Sequence, residues 1–154
     1  KSTIGRRLAN RLGYAFADAD EEIEEAANMS VSEIFAQFGE AYFRDGERRV
    51  IARLIEGERT VIATGGGAFC EAETRDLILD RAISIWLDAP IATLVERVGR
   101  RDTRPLLKGR DPETVLTELM AKRRAHYARA SLRIASDNGP HERTVNAILK
   151  ALPS

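Results

Sequence analysis

Apolar residues fall into short runs rich in β-formers at Tyr14 to Ala17, Thr60 to Thr64, Ala82 to Leu87 and Leu132 to Ala135. Between them the apolar positions recur at helical spacing, as in Ile4, Leu8 and Leu12. Strands separated by helices predict an α/β fold built on a parallel sheet. Helices are expected directly after Lys1, from about Glu21, from about Ser32, across Gly39 to Glu56, after Glu71, after Pro90, from Pro112 to about Ala130, and from Pro140 to the end. Pro90, Pro112 and Pro140 are placed in first turns, where a missing N–H costs nothing. The stretch from about 99 to 111 carries Gly99, Gly109, Pro105 and closely spaced basic residues without periodicity, and reads as an arginine-bearing lid loop.

At 154 residues the chain has room for one domain, 1–154, with a proper core. Its composition, 44% hydrophobic and 31% charged, is that of a soluble globular protein. No apolar run approaches membrane-spanning length and no signal peptide is visible, so no membrane partner and a cytoplasmic location are expected. A lone cysteine, Cys70, excludes an internal disulfide and a cysteine-based zinc cluster. The zero net charge hides an asymmetry: Asp18 to Glu47 is acidic around a single base, Arg44, whereas Arg97 to Arg133 is strongly basic. No aromatic-rich strand accompanies those arginines, which argues against nucleic acid and for a small polyanion.

Lys1-Ser2-Thr3 before an amphipathic helix has the form of the closing K-[ST] of a phosphate-binding P-loop, whose Lys meets phosphate and whose hydroxyl meets Mg²⁺. Asp18-Ala19-Asp20 ends the second apolar run. If that segment is extended, both carboxylates share one face at the strand's C-terminal end, where open parallel sheets bind ligands. A helix cap at Asp20 is the plainer alternative. Gly65-Gly66-Gly67 follows the next strand and lets backbone N–H groups approach a ligand, or simply turns the chain. Arg44 and Arg123 would form a bidentate carboxylate clamp if they converged, and would otherwise be surface arginines.

Taken in order, Lys1-Ser2-Thr3-Ile4-Gly5, Asp18-Ala19-Asp20 with Ile23-Glu24, Ile34-Phe35, Gly39-Glu40, Phe43-Arg44 with Glu47, Gly65-Gly66-Gly67, Arg104-Pro105-Leu106-Leu107 and Arg123 with Tyr127 resemble the shikimate kinase family over nearly the whole chain. The resemblance implies a P-loop, nucleoside-monophosphate-kinase-like three-layer α/β fold with a five-stranded parallel sheet flanked by helices. It also implies transfer of the ATP γ-phosphoryl group to the 3-hydroxyl of shikimate, toward chorismate and the aromatic amino acids; a monomer is expected separately, because no strong exposed apolar stripe argues for an obligate dimer.

By the same resemblance Lys1, Ser2 and Thr3 bind ATP phosphates, Ser2 and Asp18 serve Mg²⁺, and Asp20 binds the shikimate hydroxyls and acts as base. Arg44 and Arg123 hold the shikimate carboxylate, with Gly65, Gly66 and Gly67 lining the pocket. Arg104 swings in with the lid, Arg97 lies along the adenine, and the segment from Asp137 to Pro140 closes over the base. The family's phosphate-loop glycines and first strand are not in this sequence, so a shortened, inactive form of a longer enzyme is expected. The rival readings are another small-molecule kinase, gluconate-kinase-like, and a catalytically silent binding domain.

Overall fold

The computed structural model describes residues 2–89, 112–136 and 139–153. The helix expected after Pro90 and the lid at about 99–111 lie outside them.

The first helix, α1, runs Ser2–Leu12, and buries Ile4, Leu8 and the small Gly5 and Ala9 on one face. Strand β1 (Ala15–Asp18) leads into α2 (Ala19–Ala27). The long α3 (Val31–Glu56) opens on a capping box in which Ser30 and Glu33 satisfy each other's backbone N–H. It is broken at Gly39, where φ is 85° and ψ 174°, a conformation that a side chain would strain. The helix expected across Gly39 is therefore interrupted there, and α3 is two rods joined at one residue. Strand β2 (Thr60–Ala63) passes through the triple glycine into a single 3-10 turn, Ala68–Cys70, and then α4 (Ala72–Arg81). Strand β3 (Ile85–Asp88), α5 (Pro112–Tyr127), β4 (Leu132–Ala135) and α6 (His141–Ala151) complete the described order.

The expected boundaries shift in three places, each for a local reason. β3 begins at Ile85 because α4 runs to Arg81 and Ala82 caps it, its N–H bonding the carbonyl of Ile78. Pro140 stands just before α6 as its capping residue, not in the first turn. The turn from β1 into α2 comes at Asp18, earlier than the expected start near Glu21, because the Asp18 carboxylate accepts the N–H groups of Asp20 and Glu21.

All pairing is parallel, as expected: β1 with β2, Ala15 opposite Thr60, and β3 with β4, Ile85 opposite Leu132. The described strands form two two-stranded sheets, not one continuous sheet. Side-chain packing joins them. Val61 of β2 and Ile85 and Leu87 of β3 pack on a cluster made by Ile4 and Leu8 of α1, Ile134 of β4, and Val145 and Ile148 of α6. The next residue of β2, Ile62, points to the opposite face and meets Ala19, Ile51, Ala68 and Ile78. A third cluster, Ile23, Ile34, Phe43 and Val50, fastens α2 to α3. Helices thus cover both faces of the strands, and the C-terminal ends of β1 and β2 open toward one another's loops.

Ile148 is 1% exposed at the centre of the cluster that holds the two strand pairs together. Ile148→Ala is expected to lower unfolding free energy by about 2–5 kcal/mol, read by urea denaturation. A loss below about 1 kcal/mol would show that the cluster can collapse around the gap.

Candidate active site

The C-terminal end of β1 brings two of the expected residues together. Ser2 Oγ donates to Asp18 Oδ2 at 2.8 Å, so the opening of α1 and the end of β1 meet through oxygen atoms. The other oxygen of Asp18 caps α2. The extended Asp-Ala-Asp geometry is therefore not what forms: Asp18 ends the strand, and Asp20 sits in the first turn of α2. The alternative of a cap at this point is right in kind but belongs to Asp18. Thr3 lies exposed on α1. Lys1, Arg97, Arg104 and Asp137 lie outside the described residues, and Pro140 is the capping residue just before α6.

The second assembly lies at the triple glycine after β2. A Cβ on Gly67 would fall 2.7 Å from Arg44 Cζ, and one on Gly66 would fall 2.6 Å from Arg123 Nη1. Two guanidinium groups from α3 and α5, far apart in sequence, thus stand over adjacent residues of one turn. The glycines are there to be approached. Tyr127, one turn beyond Arg123, donates its hydroxyl to the Gly66 carbonyl and fixes the turn from the same helix.

Arg44 is held from behind. Its Nη1 donates to Glu47 Oε1 at 2.8 Å, and Nη2 reaches Glu40 Oε2 at 3.5 Å. The Glu47 side chain is 1% exposed and that of Arg44 13%, so this is a desolvated pair. Burial works against the Arg44 charge, but the hydrogen bond and attraction of Glu47, with a smaller part from Glu40, outweigh it and leave the guanidinium's pKa raised. Glu47 fell within the quoted family pattern, but its role was legible more directly: an Arg and a Glu at i and i+3 on one helix face each other.

Arg75 and His126 were missed altogether. Arg75, buried on α4, reaches the carbonyls of Phe69 and Cys70 and Nδ1 of His126 on α5. No local signal separates such an arginine from a solvated one. Only its burial does.

A hydroxyl and a carboxylate at a helix start, beside a glycine turn flanked by two cations, are the parts of a small-molecule kinase of the P-loop, nucleoside-monophosphate-kinase-like class. A family profile described as shikimate kinase matches residues 1–153. The shikimate kinase of Novosphingobium aromaticivorans is 54% identical over 156 residues, covering 99% of this chain and 81% of that one. That of Caulobacter vibrioides strain NA1000 is 56% identical over 152 residues, covering 99% and 76%. Among solved structures, shikimate kinase from Acinetobacter baumannii in complex with shikimate superposes with a TM-score of 0.92 at 35% identity, covering 96% of this chain and 83% of that one. The Aquifex aeolicus enzyme gives 0.83 at 35% identity, covering 97% and 88%. The chain belongs to the shikimate kinase family. These matches give no support to the expectation of a shortened, inactive form.

The Cys70 thiol donates to the Gly66 carbonyl at 3.8 Å, and burial pushes its pKa up against the pull of Arg123, Arg44 and Arg75. Only the thiolate reacts, so a raised pKa means less reactive thiol at neutral pH. Iodoacetamide is expected to alkylate Cys70 with a half-maximal rate at higher pH than free cysteine. A midpoint at or below that of free cysteine would show the arginines prevailing over burial.

Proposed function

We propose that the chain transfers the γ-phosphoryl group of ATP to the 3-hydroxyl of shikimate, with Arg44 and Arg123 holding the substrate carboxylate over Gly66 and Gly67. The observation that carries this reading is the convergence of those two arginines on adjacent glycines. A planar guanidinium offers parallel N–H donors matched to a carboxylate. Arg44 is pre-oriented by Glu47, so little freedom is lost when the substrate binds. Gluconate-kinase-like chemistry does not call for such a clamp on a cyclic acid, and the whole-chain match to shikimate kinases supports the same choice.

Phosphoryl transfer between bound partners is mostly positioning and charge stabilisation. Asp20, in the first turn of α2 two residues after Asp18, would orient the attacking hydroxyl and take its proton on a carboxylate oxygen. Ser2 Oγ and Asp18 Oδ2, 2.8 Å apart, are hard oxygen donors suited to Mg²⁺, directly or through water. Among the described residues no group of three or more His, Cys, Asp and Glu could cage a metal. Mg²⁺-nucleotide sites hold the ion with one or two protein oxygens and the phosphates. When bound, the ion would neutralise phosphate charge. Lys1 and Thr3 at the phosphates, Arg97 at the adenine, Arg104 at the transferring group, and Asp137 and Pro140 near the base rest on motif order alone. A monomer in the cytoplasm completes the reading; among the described residues no helix is long and apolar enough to cross a membrane.

Shikimate-dependent ADP release from ATP-Mg²⁺, followed in a coupled assay, tests the proposal, and its absence would sink it. Arg44→Ala and Arg123→Ala should each raise the shikimate KM, through loss of charge-assisted bonds worth roughly 1.5–3 kcal/mol. An unchanged KM removes that arginine from the clamp. Asp20→Asn should lower kcat by about 10²-fold or more while shikimate still binds, and a normal rate would rule out Asp20 as the base.

A further inference from the structure

Arg75 is a buried cation that the phosphoryl-transfer reading does not use. It is 8% exposed, and among the described residues it has no carboxylate partner and its Nε no acceptor. A guanidinium removed from water without a counter-charge is costly, so what it holds matters. Its Nη1 reaches the carbonyl oxygens of Phe69 and Cys70, both at 3.3 Å, and His126 Nδ1 at 3.0 Å. A guanidinium can only donate, so in this contact Nδ1 of His126 is the acceptor.

These acceptors belong to two segments that must keep a fixed relation. Phe69 and Cys70 lie in the 3-10 turn that leaves Gly67. His126 lies in the last turn of α5, three residues after Arg123 and next to Tyr127, so it shares their turn of helix. Both of those neighbours meet Gly66: Arg123 from above and Tyr127 through the carbonyl. Rotation or sliding of that turn would move Arg123 Nη1 away from the glycine. The Arg75–His126 contact opposes such movement from the far side.

We propose that Arg75 and His126 are positioning residues for the substrate clamp, locking the last turn of α5 to the turn after the glycines so that Arg123 stays in register over Gly66. Neither touches the reacting groups; both act through Arg123. The inference rests on the reading of Arg123 as a carboxylate ligand.

The test compares His126→Leu, which removes the acceptor, with His126→Gln, whose amide oxygen restores one. His126 is only half-buried, so both variants should fold. His126→Leu is expected to raise the shikimate KM about tenfold, with kcat and the ATP KM within about twofold, and His126→Gln to recover most of the loss. Arg75→Met should raise the shikimate KM similarly, and adding His126→Leu to it should cost little more, since the two act as one contact. If Arg75→Met does not fold, the His126 pair decides alone. An unchanged shikimate KM in His126→Leu, an equal loss in kcat and both KM values, or no recovery with Gln would overturn the inference while the functional reading stands. An unmodified chain without shikimate-dependent ADP release would overturn both.

Discussion

The buried ion pair between Arg44 and Glu47 sets the terms for the surrounding structure. A carboxylate that is 1% exposed on its side chain is tolerated there because a guanidinium faces it, and the pairing offsets the cost of burying the Arg44 charge. Once the pair is fixed on α3, the space beside it is too small for any side chain, and the β2 exit must be glycine at Gly67. Phe43, the residue before Arg44, anchors the same helix in the α2–α3 cluster. A core contact and a binding group are thus adjacent in sequence and cannot move independently. The break at Gly39 divides α3 into a first rod, whose Ile34 packs in the same cluster as Phe43, and a second rod that carries Arg44 and Glu47.

Charge is distributed around the glycine turn unequally. Arg44 is paired with its own carboxylates, whereas Arg75 Nη1 meets carbonyls and an imidazole while its Nε has no acceptor among the described residues, and Arg123 stands over Gly66. The turn therefore carries an excess of positive charge in a partly desolvated place, where a substrate carboxylate is worth more than on an open surface. At the start of α1 the arrangement is different, an oxygen pair between Ser2 and Asp18. The oxygen pair and the glycine turn lie at the ends of neighbouring strands, β1 and β2, which pair in register. Parallel pairing is what places both ends on the same side.

Much of this was legible along the chain because it is local. Four strands fall within a few residues of the apolar runs, and the match is complete for Leu132–Ala135. Val61 and Ile62, consecutive in β2, pack on opposite faces, as neighbouring residues of a strand do. The motif order led to the family, and the glycines, Arg44 and Arg123 to the pocket. The errors were also local in origin: the side chain of Asp18 competes for backbone N–H groups, and that competition turned an anticipated extended Asp-Ala-Asp into a strand end and a helix start.

By itself the sequence determined the alternation of strands and helices, the types of residue available for binding an anion, and their order, since hydrophobic period and side-chain chemistry are properties of neighbouring residues. Tertiary structure alone decided that Arg44 and Arg123 converge, that Glu47 is a buried partner, and that Arg75 and His126 join two segments 51 residues apart. Those outcomes depend on which faces the packing of α3, α4 and α5 turns inward. A guanidinium reads the same in a sequence whether water or a protein carbonyl accepts its hydrogen bonds, and burial is what separates the two.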